Sequence, residues 1–247
     1  MACAALFEKQ STHRLVPAKY SETGSVLEAL PLPNDVLSDL SELDAATNER
    51  TQAERAGNPA IGPGELLFGV PEAQIVNAAF CHPGPYGSRF NTPQRGAWYA
   101  GVELETSCAE VAFHRRRLLE ETRFSGEQAY DYQDFLADFS GEFHQLDEAE
   151  QKTCLEPEPV PQCYAPGQAL AETLLYQGAQ GIVYPSVRNP GGTCIVCFRP
   201  ALIFHLRRAK RYRIAVIAGK AGFRIEKPAK AGFRIEKSVA GKGSGAV

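Results

Sequence analysis

The chain has 247 residues, of which 44% are apolar and 22% are charged, close to the averages for globular domains. This composition excludes whole-chain disorder and collagen-like repetition, and no run of about 18 apolar residues predicts a membrane-spanning helix. The net charge of −3 is unevenly divided, because residues 1–198 carry 13 basic and 27 acidic side chains whereas residues 199–247 carry 13 and 2. An acidic body with a basic tail can bind nucleic acid or an acidic partner. The tail can equally fold back on the body or form a solvated appendage.

Along the chain, strand-like and helix-like patterns alternate with loops rich in proline and glycine. In order, they predict a short strand within 12–20 that ends at Pro17, a helix from Asn34 or Asp35 to near Arg55, a loop over 57–64, an apolar patch within 74–91, a strand over 96–102, a helix over 104–121, a strand over 130–135, an irregular loop over 156–166, a helix over 168–177, and strands over 181–186 and 193–198. Because these elements follow no regular βαβ order, the pattern predicts an α+β fold rather than a doubly wound sheet.

The C-terminal part contains a direct repeat, since AGFRIEK occurs at 221–227 and again at 231–237. A single duplication of this length is too short to form a solenoid. We therefore predict one domain over residues 1–218, with an inserted segment at about 20–75, and a basic tail over residues 219–247.

Two features indicate where the protein acts. The N-terminal segment has no basic region ahead of an apolar run, so we expect no secretory signal peptide. The seven cysteines are odd in number and irregularly spaced, which favours reduced thiols over a disulfide framework. We therefore expect a cytoplasmic protein that does not bind membranes.

The common catalytic motifs are absent from the sequence. Cys194 and Cys197 have CxxC spacing, but residues three apart on a strand point to opposite faces, so their sulfurs would not converge on a metal. The chain has no HExxH, GxSxG, Walker or GxGxxG motif. We expect no metal site, and the common hydrolase, kinase and dehydrogenase chemistries have no support in the sequence.

Several polar residues at the edges of predicted elements remain as candidates for a site: Arg14, Arg89, Asn91, Tyr99, Glu110, His114, Ser186 and Arg188. Glu110 and His114 are four residues apart, so they share one face of the predicted helix. Each candidate also has a purely structural explanation. Arg89 could be a surface turn residue, and Glu110 could form a helix ion pair with His114 or Arg115.

Two blocks of sequence carry a family resemblance. Residues 87–114 contain GSRFN, an aromatic strand with Tyr99 and then Glu110 on a helix, and residues 177–198 contain YPS. Together these blocks resemble the RES domain, a family named for an Arg, a Glu and a Ser that includes the toxins of bacterial RES–Xre toxin–antitoxin modules. The resemblance extends over about residues 12–200, where HRLVPAKY is similar to the first strand of the family.

The resemblance implies an ADP-ribosyltransferase-like core of antiparallel and mixed β-sheets flanked by helices, and an enzyme that consumes NAD+. It also implies a role for each matching residue: Glu110 as the catalytic acidic residue, Arg89 and Arg14 as ligands of phosphate and of the NAD+ pyrophosphate, Tyr99 near the nicotinamide or its ribose, Ser186 as the family serine, and Asn91 as a further substrate-binding residue.

These residue types suit the implied chemistry. Loss of nicotinamide builds positive charge on the ribose ring, and a carboxylate in a water-poor site stabilises that charge. Guanidinium groups bind phosphate oxygens through two parallel hydrogen bonds. Tyrosine can stack on the flat nicotinamide ring, with a cation–π component before the bond breaks.

The leading hypothesis is an NAD+-degrading enzyme that releases nicotinamide and forms ADP-ribose-1″-phosphate, acting as a bacterial toxin. NAD+ would be a substrate rather than a cofactor, and inorganic phosphate a co-substrate. Alternatives are ADP-ribosyl transfer or NAD+ hydrolysis on the same fold, a catalytically inactive RES scaffold, and a binding protein that uses the basic segment 207–213 and the repeats. The family also implies a helix-turn-helix antitoxin of the Xre type and a homodimer.

Overall fold

The computed structural model describes residues 4–21, 33, 36, 60–220 and 222–226. The strands of the described part are β1 (Ala4–Pro17), β2 (Trp98–Gly101), β3 (Glu127–Gln145), β4 (Gly181–Pro185), β5 (Thr193–Cys197), β6 (Phe204–Ile217) and β7 (Arg224–Glu226). Its α-helices are α1 (Ala73–Cys81), α2 (Leu104–Glu121), α3 (Glu148–Cys154) and α4 (Ala165–Tyr176). The strands form one mixed sheet in the order β1-β2-β5-β4-β3-β6-β7, which confirms the α+β class.

The strand pairings close part of this sheet into a ring. β1 runs antiparallel to β3 and also meets β2, where His13 pairs with Gly101. β2 then pairs with β5, β5 with β4, and β4 with the end of β3, where the pairing is parallel. His13 and Gly101 form the one ladder pair recorded between β1 and β2. The ring is therefore least tightly joined where these two strands meet.

Helices cover the sheet through three separate apolar clusters. α1 packs on the cluster around Trp98, α4 on the cluster around Ile182, and α2 on the cluster around Tyr132. The apolar side chains of α2 recur at helical spacing, as Cys108, Ala112 and Leu119 are all buried on the sheet side. This packing fixes the rotation of α2 and leaves Glu110 on a flank of the helix.

The main predicted elements around the two family blocks are confirmed. The strand at 96–102, the helix at 104–121 and the strands near 181–186 and 193–198 correspond to β2, α2, β4 and β5. α4 begins at Ala165, three residues before the predicted start, and Gly178 follows it with φ of 86°, a backbone conformation that glycine tolerates well. β1 and β3 are both much longer than predicted, because each continues into a two-stranded ribbon in which they pair with each other.

Some of the sequence features lie outside the described residues, and one observed helix was not predicted. The helix predicted from Asn34 or Asp35 to near Arg55 lies outside the described residues, as does the second repeat at 231–237. α3 falls in a stretch with no predicted element. The division into a domain over 1–218 and a tail over 219–247 stays a prediction, although Arg224–Glu226 pairs with β6 as β7.

The basic segment 207–213 lies inside the sheet rather than in an appendage. It belongs to β6, which pairs with β3 along most of its length. Its arginines contact acidic side chains, since Arg207 pairs with Asp138 and Arg208 with Glu72. These acidic partners are remote in sequence, so the charge pattern alone resembled a solvated tail.

None of the helices in the described part has the length and apolar character needed to span a lipid bilayer.

We expect Arg208→Ala to lower the free energy of unfolding by about 2 kcal/mol, because Glu72 would lose a charged hydrogen-bond partner. Both Arg208 and Glu72 are largely shielded from solvent. Lys210→Ala, at an exposed position of the same strand, should change it by less than about 0.5 kcal/mol. Urea denaturation of both variants measures this. Equal stability of the two variants would contradict a stabilising role for the Arg208–Glu72 pair.

Candidate active site

A cavity of about 250 Å³ lies where β1 and β2 meet. Three consecutive residues of each strand line it: His13, Arg14 and Leu15 from β1, and Tyr99, Ala100 and Gly101 from β2. α2 covers one side, and the loops that follow α1 and β4 supply further walls. The cavity therefore opens beside the single pair that joins β1 and β2.

Glu110 projects from α2 into this cavity and is held by the end of β4. The Ser186 hydroxyl donates a hydrogen bond to Glu110 Oε1 over 2.9 Å, and the same Ser186 oxygen accepts the backbone N–H groups of Arg188 and Asn189. Burial raises the pKa of the Glu110 carboxyl, while the Ser186 hydrogen bond and the positive charges of Arg188 and Arg89 oppose that rise. Glu110 Oε2 has no recorded partner among the described residues, so it is available to a ligand.

A second link, one helical turn earlier, fixes the distance between α2 and the loop after β4. Asn189 Nδ2 donates to Thr106 Oγ1 over 2.9 Å, and that hydroxyl donates to Glu103 Oε2. Thr106 and Glu110 are four residues apart, so they lie on one face of α2. Gly192 fits tightly here, because a Cβ atom would come within 2.2 Å of Thr106 Oγ1. The loop is thus fastened to the helix at two neighbouring points.

Arg89 is buried and held by backbone carbonyl groups. Its Nη1 donates to the carbonyl oxygens of Cys154 and Glu156, at the C-terminal end of α3. Its guanidinium lies over the Tyr164 ring, 5.1 Å from the centroid. α4 reaches the backbone of Arg89 because Gly167 has no side chain, as a Cβ there would lie 2.3 Å from the Arg89 carbonyl oxygen. The guanidinium lines the cavity without a carboxylate partner among the described residues.

Tyr99 joins β2 to the turn that carries Arg89. Its hydroxyl accepts the Phe90 N–H and donates to Asn91 Oδ1, each over 2.9 Å. Asn91 in turn donates to the carbonyl oxygens of Thr92 and Arg95. Burial raises the pKa of the Tyr99 phenol well above its usual range, so the hydroxyl stays neutral. Asn91 is not among the cavity-lining residues, and it acts on the site through Tyr99.

Arg14 reaches across the gap between β1 and β2. Its Nη1 donates to the Tyr99 carbonyl oxygen over 3.0 Å, and its guanidinium lies over the Trp98 ring, 4.6 Å from the centroid. Burial lowers the pKa of the Arg14 guanidinium to about 10, and it therefore stays protonated at neutral pH. A permanent positive charge thus lies at the β1 side of the cavity.

His114 and Arg188 form the remaining charged wall. The pKa of His114 is lowered to about 4, first because protein atoms crowd the imidazole and then because Arg188 and other arginines lie nearby. Arg188 lies directly over the Phe113 ring, 3.4 Å from its centroid, and donates to the Pro157 carbonyl oxygen. A neutral imidazole and a third positive guanidinium therefore face the cavity together.

The six cysteines that the structure describes are all buried and form no disulfide bond. Cys194 and Cys197 belong to different apolar clusters, as the alternation of a strand requires. Burial raises the pKa of the Cys194 thiol to about 12, so the sulfur beside Glu110 is protonated. Within the part of the chain that the structure covers, no group of three or more His, Cys, Asp or Glu side chains could hold a metal ion.

The structure brings five of the predicted site residues to one place and puts Asn91 just behind them. Arg14, Arg89, Tyr99 and Glu110 line the cavity, and Ser186 binds Glu110. The two helix ion pairs considered for Glu110 are not formed, because Arg115 donates to Tyr132 instead and the lowered pKa of His114 leaves its imidazole neutral at pH 7. Arg188 and His114, noted in the sequence but given no role, also line it. Tyr184, the tyrosine of the YPS block, lines the cavity although the sequence analysis gave it no role, and Tyr164 lines it although its proline-rich neighbours carried no signal.

The RES domain family model matches residues 66–216, which include all the predicted site residues except Arg14. The comparison with curated proteins gives no match. Among solved structures, the chain is similar to one in the MbcT–MbcA toxin–antitoxin complex of M. tuberculosis, with a TM-score of 0.40 and 12% sequence identity over 84% of this chain and 85% of that one.

We expect Glu110→Gln to stabilise the protein at about pH 8 by on the order of 1 kcal/mol, because the variant buries no charge. Burial raises the folded-state pKa of Glu110 above its unfolded value, so the ionised carboxylate destabilises the fold at high pH. The gain should disappear below about pH 4, where the carboxyl is protonated in both states.

Urea denaturation at both pH values measures this effect. Glu105→Gln, at an exposed position of the same helix, is the matched control and should show no comparable gain. A Glu110→Gln protein less stable than the wild type at high pH would contradict the assigned environment.

Proposed function

The chain belongs to the RES domain family, and from that premise we propose that it is an enzyme that cleaves the nicotinamide–ribose bond of NAD+. We propose further that inorganic phosphate is the acceptor, so that the products are nicotinamide and ADP-ribose-1″-phosphate. In this scheme NAD+ and phosphate are both substrates rather than resident cofactors.

The excess of positive charge in the cavity is the observation that supports this proposal. Arg14, Arg89 and Arg188 line it, and each donates to a backbone carbonyl group rather than to a carboxylate. Among the described residues that line the cavity, Glu110 is the one with an acidic side chain. A neutral carbonyl orients a guanidinium without cancelling its charge, so the cavity keeps an excess of positive charge. That excess suits a substrate with a pyrophosphate and a second, anionic reactant.

In the proposed reaction, Glu110 stabilises the reacting sugar. When the C1″–N bond breaks, its electron pair leaves with the nicotinamide nitrogen, and positive charge develops on the ribose ring. The Glu110 carboxylate faces that charge, with Oε1 held by Ser186 and Oε2 available to the sugar. A phosphate oxygen then uses a lone pair to form the new bond to C1″. Ser186 is a positioning residue in this scheme, and Tyr99 holds the turn of Arg89.

An enzyme of this kind depletes the NAD+ of the cell in which it acts. We therefore propose that the protein is a bacterial toxin of the cytoplasm, restrained by an antitoxin of the helix-turn-helix Xre type. Such an antitoxin would block the cavity between β1 and β2. The homodimer implied by the family resemblance stays a prediction. Co-purification with the antitoxin would test the complex, and light scattering of the purified protein would test the homodimer.

We expect the purified protein to consume NAD+ in a phosphate-dependent reaction, and Glu110→Gln to lower turnover by about 10²–10³-fold. HPLC of nicotinamide and ³¹P NMR of the sugar phosphate measure the two products. Glu105→Gln is again the matched control and should retain turnover.

The identity of the acceptor distinguishes phosphorolysis from hydrolysis and from ADP-ribosyl transfer. NAD+ loss that does not depend on phosphate and yields free ADP-ribose would indicate hydrolysis instead of phosphorolysis. Covalent labelling of a protein with ADP-ribose would indicate ADP-ribosyl transfer. No NAD+ loss by folded wild-type protein under any of these conditions would overturn the proposal.

Removal of the second link between α2 and the loop after β4 should also lower turnover. We expect Thr106→Val to reduce kcat on the order of tenfold through a small displacement of Glu110, with the KM for NAD+ little changed. Thr106→Ser, which keeps the hydroxyl that Asn189 and Glu103 bind, should retain most activity. Thr173→Val, on the exposed side of α4, is the matched control for loss of a threonine hydroxyl. An unchanged kcat in Thr106→Val would contradict a positioning role.

A further inference from the structure

One short stretch of backbone at the end of α3 holds two of the cavity arginines. Arg89 Nη1 donates to the carbonyl oxygens of Cys154 and Glu156 over 2.7 and 2.9 Å. Arg188 Nη2 donates to the carbonyl oxygen of Pro157 over 2.7 Å. The two arginines come from different loops, yet their acceptors lie within four consecutive residues. We call this stretch, residues 154–157, the carbonyl segment.

The position of the carbonyl segment depends on how α3 is fixed. At its C-terminal end the contacts are apolar, since Cys154 is buried in the cluster around Ile182 and Leu155 packs against that cluster. Burial of apolar surface is not directional, whereas a hydrogen bond weakens steeply with distance and angle. Packing alone therefore chooses the side of α3 that faces the sheet, and directional contacts must set its exact position.

Those directional contacts lie at the N-terminal end of α3, where it meets the end of β3. Glu150 Oε2 lies 2.8 Å from His144 Nε2 and accepts the backbone N–H of Asp147 over 3.0 Å. Asp147 Oδ1 accepts the Glu150 N–H in return, which completes a capping box. Gln151 Nε2 donates to the carbonyl oxygen of Leu146. One carboxylate oxygen thus joins the cap of α3 to a side chain of the sheet.

His144 carries a free-energy cost in this position. Its side chain is 3% exposed and lies on β3, where it pairs with Ile182 of β4. Its Nδ1 is buried and has no hydrogen-bond partner among the described residues. A buried polar atom without a partner is destabilising, so stability by itself gives a poor reason for a histidine here. A fixed contact between the sheet and α3 gives a better one.

We propose that Glu150 is a positioning residue for substrate binding, which acts through α3 and the carbonyl segment on the guanidinium groups of Arg89 and Arg188. The contact with His144 sets the position of α3, and a displaced α3 moves the acceptors of both guanidinium groups at once. This inference rests on the proposed function and extends it to residues that do not line the cavity.

The acidic residue of the site is held by contacts that do not involve α3. The Ser186 hydroxyl donates to Glu110 Oε1, and the link between Asn189 and Thr106 fastens the same loop to α2. Displacement of α3 should therefore weaken the binding of an anionic substrate and leave the reaction at the sugar little changed. A positioning role of this kind predicts a rise in KM without a matching fall in kcat.

We expect Glu150→Ala to raise the KM for NAD+ by about tenfold, the scale of one hydrogen bond to a charged group, and to change kcat by less than about twofold. Glu150→Gln should restore most of the wild-type KM, because its amide oxygen can accept both hydrogens that Glu150 Oε2 accepts. Glu148→Ala, at an exposed position of the same helix, is the matched control and should leave both constants unchanged.

Arg208→Ala separates a positioning role from a general loss of stability. It removes the pair between Arg208 and Glu72 and so destabilises the fold through β6, without a contact to α3 or to the carbonyl segment. Thermal unfolding shows that each variant is folded at the assay temperature. A KM for NAD+ that rises as much in Arg208→Ala as in Glu150→Ala would overturn the proposal.

Direct binding supplies a readout that does not depend on turnover. ADP is the probe for calorimetric titration, because it carries the pyrophosphate of NAD+ and has no bond to nicotinamide. The wild type, Glu150→Gln and Glu148→Ala should bind ADP alike, and Glu150→Ala should bind it about tenfold more weakly.

The outcomes separate this inference from the proposed function. ADP binding that weakens in Glu150→Ala, in a folded protein that does not cleave NAD+, would support the positioning role and overturn the proposed function. NAD+ cleavage with an unchanged KM in Glu150→Ala would overturn the positioning role alone. A Glu150→Gln protein as impaired as Glu150→Ala would also overturn it, because the shared oxygen acceptor would then not be what fixes α3.

Discussion

The hydrogen bond from Ser186 to Glu110 is the contact on which the site depends. It joins residues 76 positions apart and keeps a carboxylate ionisable in surroundings that disfavour its charge. Burial strengthens the field that Glu110 exerts on a cationic sugar, and the same burial opposes ionisation. Ser186 and the nearby arginines offset that opposition without occupying both carboxylate oxygens. The ionised Glu110 carboxylate therefore lowers the stability of the folded state.

The closed ring of strands makes this contact possible. β4 and α2 are brought together only because β5 pairs with both β2 and β4, and α2 follows directly after β2. The ring also creates the cavity, since β1 and β2 share one ladder pair and their next residues line an opening rather than a continuous sheet. The interrupted pairing between β1 and β2 thus leaves the space for the cavity that His13 and Arg14 line.

Features with a local cause could be predicted from the sequence. The helical period of α2 and the strand before it placed Tyr99 and Glu110 correctly, and the two family blocks supplied Arg89 and Ser186. β6 was missed because its arginines find their acidic partners far away in the chain. α3 was missed although it carries a readable signal, a capping box in which Asp147 and Glu150 bond to each other's backbone. Tyr164 could not be found, because only the packing of α4 on Arg89 brings its ring to the cavity.

Two groups of arginines illustrate how the partner decides the role. Arg207 and Arg208 of β6 pair with carboxylates, so their charges are neutralised and contribute to the sheet. Arg89 and Arg188 donate to carbonyl oxygens, which hold the guanidinium in place and leave its charge for a ligand. A fold that merely needed these arginines for stability would be expected to pair them in the first way. Carbonyl partners around a cavity with one carboxylate therefore favour an anionic substrate over a structural explanation.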